Sequence, residues 1–205
     1  MMFFFAGFWQ SAFAQPALAQ TFTLVAFGDS LTAGLGVGPR DNFPAQLEAR
    51  LRKKGYDVTV QNAGVSGDTA AAGLARLDWS IGEDAGAVIV ALGSNDALRG
   101  LAPAEMEKNL DAILGRLTER GLPVLLAGML APPNLGPEYA AEFEPVFARV
   151  AKAYGALYYP FFLKGVAADP SLNQNDGMHP NPDGVRVMVA NILPLVEALI
   201  ERAKK

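Results

Sequence analysis

The chain has no cysteine among its 205 residues. That removes thiolate nucleophiles, disulfides and cysteine metal sites together. It has a single histidine, His179, which excludes zinc sites of the His-Glu-x-x-His type. No loop carries the spacing of acids that a hard-cation site requires. No metal site is therefore expected, and the chemistry read below calls for no cofactor. There is no long block of basic residues, and the formal net charge is −4, which argues against nucleic acid as a partner. The short cluster from Arg50 to Lys54 ends a predicted helix, where cations favour the negative end of the dipole. No internal repeat and no low-complexity linker is visible.

What is present is the composition of a folded enzyme-sized domain. Half the residues are hydrophobic (51%) and only 19% are charged, which excludes a disordered chain. The length suits one domain with a substantial core. The first twenty residues read as a processing segment. Met1 to Trp9 is apolar, and Ala17-Leu18-Ala19 forms a small-x-small cleavage triplet before Gln20. Ala12-Phe13-Ala14 is a second such triplet, and no Lys or Arg precedes the apolar run. Residues 1–19 are read as a signal peptide and 20–205 as one domain, which implies a periplasmic or secreted protein. Gln10, Ser11, Gln15 and Pro16 break the apolar run well short of the ~20 residues a spanning helix needs. No membrane span is expected in the mature chain.

From Thr21 onward, short apolar runs alternate with helix-period segments, the pattern of strand–helix–strand units around a parallel sheet. Strands are expected at 21–27, 58–62, 87–92, 123–128 and 156–159. Phe43, Leu47 and Leu51 recur at four-residue spacing and predict a helix closed by Gly55. Further helices are expected over 68–79, from Pro103 to Gly121, around Phe143, Phe147 and Val150, and from Asn181-Pro182 onward. A glycine-rich loop follows the first strand and a proline-rich loop, 130–139, follows the fourth. Pro194 is expected to kink or break the last helix.

In open parallel sheets, ligands bind outside the carboxyl ends of the strands. Ser30 follows the first strand, Gly67 the second and Asn95 the third; Asp176 and His179 follow the fifth. Each alone has a structural explanation. Ser30 is a strand-end serine able to cap the next segment, and Asp176 lies in Asn-Asp-Gly, a strong turn string. His179 stands at a helix start, Gly67 is suited to a positive φ, and Asn95 to a loop turn. Together they are the parts of acyl-transfer chemistry. Imidazole is the usual base that activates a serine hydroxyl near neutral pH. Asp176 can hold one ring nitrogen while the other faces the serine. The Gly67 N–H and the Asn95 amide can donate to an oxyanion.

These strings are GDSLTAG around Ser30, NAGVSGDT around Gly67, LGSND around Asn95, and DGMHPN with Asp176 and His179. In that order they resemble the four blocks of the SGNH, or GDSL, hydrolase family. GLARL and NDALRG look most similar to its bacterial periplasmic thioesterase, arylesterase and lysophospholipase branch. The resemblance implies a three-layer α/β/α sandwich with a five-stranded parallel sheet of flavodoxin-like type. It also implies Ser30 as nucleophile, His179 as base and Asp176 as orienter. The implied oxyanion hole comprises the Ser30 and Gly67 N–H groups with the Asn95 amide. A small-molecule or lipid ester substrate is implied, with the proline-rich loop shaping the acyl pocket.

Other readings fit less well. An α/β-hydrolase would place its serine in GxSxG, and FGDSLT does not. A dinucleotide site would want G-x-G-x-x-G opening a helix, and Gly34-Leu35-Gly36-Val37-Gly38 runs instead into Pro39. Two alternatives remain: a carbohydrate O-deacetylase of the same family, with aromatic platforms such as Tyr139, Tyr158 or Trp79, and a non-catalytic ligand-binding domain on the same scaffold.

Overall fold

A computed structural model describes residues 21–205; the signal-peptide expectation falls on residues outside that range. Five parallel strands form one sheet in the order β2-β1-β3-β4-β5. They are β1 (Phe22–Gly28), β2 (Val58–Gly64), β3 (Ala85–Ala91), β4 (Val124–Ala127) and β5 (Leu157–Tyr159). The helices are α1 (Ser30–Ala33), α2 (Phe43–Lys53), α3 (Ala70–Ser80), α4 (Ser94–Leu98), α5 (Pro103–Glu119), α6 (Gly136–Ala153) and α7 (Pro182–Ala203).

Alternation along the strands divides the core in two. Leu24, Ala26, Ala87 and Ile89 face α2 and α7, meeting Phe43, Leu47, Ile192 and Val196. Val25, Phe27, Val88 and Val90 face α3, α5 and α6, meeting Leu77, Leu110, Ile113 and Phe147. The middle strands are apolar on both faces because both are covered. Edge strand β2 instead alternates buried Val58 and Val60 with exposed Thr59 and Gln61. The result is the three-layer α/β/α sandwich expected from the sequence.

Polar caps start the helices that border the site. Asn42 accepts from the Ala45 N–H, Thr69 from Ala72, and Asn181 from Asp183 and Gly184. Three details depart from the sequence reading. The glycine-rich loop begins with a helical turn, α1, which Asp29 caps by accepting the Leu31 N–H at 3.0 Å. A 3₁₀ turn, Pro133–Leu135, and then α6 occupy much of the proline-rich segment, so Pro137 and Tyr139 are helical. Pro194 lies inside α7 without ending it. An interior proline costs ~3 kcal/mol. Buried Ile192, Leu193, Val196, Leu199 and Ile200 each recover ~1.5–3 kcal/mol on burial, so packing wins.

Candidate active site

The strand order puts β1 between β2 and β3, so the segment bearing Ser30 is flanked by those bearing Gly67 and Asn95. Ser30 opens α1 directly after β1. Because Asp29 takes the capping role, the Ser30 hydroxyl is free of it. His179 and Asp176 come from the far edge of the sheet, on the long segment that returns from β5 to α7.

Four of the five residues singled out in the sequence line one cleft, and the fifth, Asp176, reaches it through His179. His179 Nε2 lies 3.0 Å from Ser30 Oγ, and His179 Nδ1 lies 2.7 Å from Asp176 Oδ2. Asp176 is also a turn residue: its Oδ1 accepts the Met178 and His179 N–H groups, each at 2.9 Å. One carboxylate oxygen thus shapes the loop while the other holds the ring. These bonds, first the backbone ones and then the ring contact, lower the Asp176 pKa to about 2.

Gly67 sits in a turn with φ +87°, a conformation in which only glycine is comfortable. The positive-φ explanation therefore holds. Among the described residues neither the Ser30 nor the Gly67 N–H donates to a protein acceptor. Asn95 is the second residue of α4. Its Nδ2 donates to the Asp68 carbonyl at 3.0 Å and lies 3.4 Å from Asp29 Oδ2. The second contact is long for a hydrogen bond, so one amide N–H is well anchored and the other is only loosely engaged.

Ser30, Gly67, Asn95 and His179 line a cleft of about 780 Å³, within the range of ordinary small-molecule sites. The rest of its wall is mainly apolar, with Leu35, Leu98, Met129, Leu130, Pro132 and Leu163 prominent.

The model of the GDSL-like lipase/acylhydrolase family matches residues 26–187. The chain belongs to this family. It is 41% identical to the esterase TesA of Pseudomonas aeruginosa over 187 residues, covering 91% of this chain and 92% of that one. It is 36% identical to thioesterase 1/protease 1/lysophospholipase L1 of Escherichia coli, covering 78% and 76%. Among solved structures, that of TesA superposes with a TM-score of 0.82 at 40% identity over 86% of this chain and 99% of that one. AlinE4, an SGNH-hydrolase family esterase, superposes with a TM-score of 0.75 at 44% identity, covering 89% and 98%.

Around the cleft, this GDSL-like chain carries a polar layer that sequence reading did not single out. Asp29 is 1% exposed. Burial raises its pKa, against the lowering effect of hydrogen bonds from Ser94 and the Leu31 N–H. Asp96 accepts the Ala70 N–H at 2.8 Å and so ties the Asn95 segment to the start of α3. Arg76, from the GLARL string, is buried against Asp68 with Nε–Oδ2 at 2.5 Å. Its other nitrogens donate to the Ala63 carbonyl, the Ser80 hydroxyl and the Gly28 carbonyl, while the guanidinium lies 4.3 Å from the centre of the Phe27 ring. One side chain thus fastens the carboxyl ends of β1 and β2 to the Gly67 turn. Aspartate in a loop string is too common to announce such roles; only burial and partners reveal them.

Proposed function

We propose that Ser30, His179 and Asp176 act as nucleophile, base and orienting acid of a carboxylic ester and thioester hydrolase. His179 Nε2 takes the Ser30 proton as Oγ attacks the acyl carbonyl. Asp176 holds the Nδ1–H tautomer and stabilises the imidazolium that forms. The oxyanion of the tetrahedral intermediate takes the Ser30 and Gly67 N–H groups and the loosely engaged N–H of the Asn95 amide. His179 returns the proton to the departing alcohol or thiol, leaving an acyl-Ser30 ester. It then deprotonates water, which attacks that ester, and the acid leaves as Ser30 regains its proton.

The observation that carries this reading is the relay itself, 3.0 Å from hydroxyl to ring and 2.7 Å from ring to carboxylate. The names of the related esterases and thioesterases support the substrate class. The apolar cleft favours acyl or aryl esters with a hydrocarbon portion. A carbohydrate deacetylase is less well supported, because the candidate platforms are elsewhere. Tyr139 stacks on Phe143 and donates to the Leu101 carbonyl; Trp79 and Tyr158 do not line the cleft.

Ser30→Ala should lower kcat by ~10³ or more, leaving the residual catalysis of binding and oxyanion donors. Nitrophenyl esters of graded chain length provide the assay. A folded variant keeping a tenth of the wild-type rate removes Ser30 from the nucleophile role.

Export to the periplasm or medium is part of the same proposal. It rests on the small-x-small triplets, and no helix among the described residues is long and apolar enough to cross a membrane. N-terminal sequencing of protein from the native host should begin at Gln20, or at Gln15 if the earlier triplet is used. Cytoplasmic protein retaining Met1 would refute it.

A further inference from the structure

The sheet does not by itself fix the distance between nucleophile and base. Ser30 follows β1 and His179 follows β5, with β3 and β4 between them. Neighbouring strands lie ~4.8 Å apart, so the gap spanned is ~14 Å. The segment after β5 must return across it to bring the ring to 3.0 Å from the hydroxyl. Something has to hold that returning loop in register.

Gln174 occupies the junction. Its Nε2 donates to the Leu35 carbonyl at 2.7 Å, in the loop after Ser30, and to the Pro180 carbonyl at 3.0 Å, next to His179. Leu35 in turn donates its N–H to the Ser30 carbonyl at 3.1 Å. The Gln174 N–H donates to the His179 carbonyl at 2.7 Å, and the Gln174 carbonyl accepts the Gly177 N–H at 2.9 Å. That last bond closes the turn carrying Asp176. Among the described residues, the amide contact to Leu35 is the one hydrogen bond besides the relay that joins these two loops.

The opposite wall is shaped to receive it. Gly36 has φ +76°, and a Cβ there would lie 2.0 Å from Gln174 Oε1. The glycine supplies both the turn and the room for the amide beside it.

We propose that Gln174 is a positioning residue for the Ser30–His179 pair, its side-chain amide setting the span between the nucleophile loop and the base loop. This rests on the mechanism proposed above. Gln174 touches neither reacting atom; it acts through the placement of the ring.

The test is Gln174→Met, which keeps the length and removes both donors. A displacement of the base by ~1 Å costs on the order of 10²-fold in rate, so the plateau kcat should fall ~10–100-fold with KM little changed. The pH–rate inflection should stay where it is, because His179 and Asp176 share one loop and move together. Gln174→Glu keeps the shape but turns an acceptor toward two carbonyls, and should be at least as slow. Asn191→Ala is the control: it deletes an equivalent bond, Nδ2 to the Lys164 carbonyl at 2.8 Å, away from this junction, and should keep full kcat.

Full kcat in folded Gln174→Met, beside inactive Ser30→Ala and His179→Ala, overturns the positioning role and leaves the mechanism standing. Activity in folded Ser30→Ala overturns the mechanism and the positioning role with it. Recovery of rate in Gln174→Glu also overturns the role, since the donors would then be dispensable. If Gln174→Met does not fold, Gly36→Ala serves instead: it retains Gln174 but forces the amide aside. It should show the same plateau loss, and a full plateau rate there refutes the assignment.

Discussion

Replacing Asn95 with alanine separates a chemical role from a structural one, because the two have different sizes. The structural part can be counted. The variant loses one good hydrogen bond, Nδ2 to the Asp68 carbonyl at 3.0 Å, and one long contact to Asp29 Oδ2 at 3.4 Å. A hydrogen bond of this kind is worth ~1 kcal/mol net, which shifts Tm by ~2–4 °C in a domain of this size. Total stabilities run to ~5–15 kcal/mol, so the variant should be fully folded at 25 °C. The chemical part is larger. Removing one oxyanion donor costs ~10²–10³ in kcat, or ~2.7–4 kcal/mol of barrier. The donor acts on charge that exists only in the transition state, so KM should change little. A melting curve and a kcat measurement on one sample give both numbers. Asn95→Asp should be slower still, since it sets a carboxylate where negative charge develops and beside Asp29. A variant that melts a few degrees lower but turns over at the wild-type rate refutes the oxyanion role.

Two further outcomes follow from charged side chains around the cleft. Arg76→Met should destabilise the fold by ~3–5 kcal/mol, the usual cost of stranding the buried partner of an ion pair; urea unfolding measures it, and a loss under ~1 kcal/mol, typical of exposed pairs, contradicts the assignment. Asp176 ionises at about 2 in the fold against 3.8 for the ordinary group, so its contribution to loop stability is fully present above 3.8 and lost as pH falls through about 2. Hydrogen exchange at the Met178 and His179 amides should remain protected at pH 4 and open toward pH 2; opening by pH 5 would show that Asp176 does not hold the turn.

The fold was legible where periodicity spoke for both sides of an element. Unbroken apolar runs such as Leu24 to Phe27, set between helix stripes such as Met106, Leu110, Ile113 and Leu117, point to a parallel sheet covered on both faces. Boundaries were less legible because caps set them: Thr69 starts α3 two residues after the Gly67 turn, and Gly136 starts α6 within a proline-rich string. Pro194, expected to kink or break the last helix, does not break it, because the hold on that helix is tertiary and the expectation came from a local rule. At the site, residues whose chemistry is unusual for their type stood out, above all a lone histidine three positions after an aspartate. Residues that act through placement did not. Arg76 and Gln174 depend on which carbonyls lie within about 3 Å, Asp29 on which donors reach its carboxylate, and spacing along the chain carries no trace of either.

The long return from β5 has a consequence in time as well as in space. Ribosomal synthesis delivers the amino-terminal part first. By the end of β5 the chain already holds Ser30, Gly67 and Asn95 and can pair β2, β1 and β3. The imidazole is still missing at that point. Its segment is then tied down where Asn181 caps α7, where Gln46 reaches across from α2 to the Pro182 carbonyl at 3.0 Å, and where Gln174 meets the Leu35 carbonyl. Reactivity is thus the last property the growing chain acquires. On the mechanism proposed above, a nascent polypeptide holds Ser30 and its donors without their base until the final helix docks.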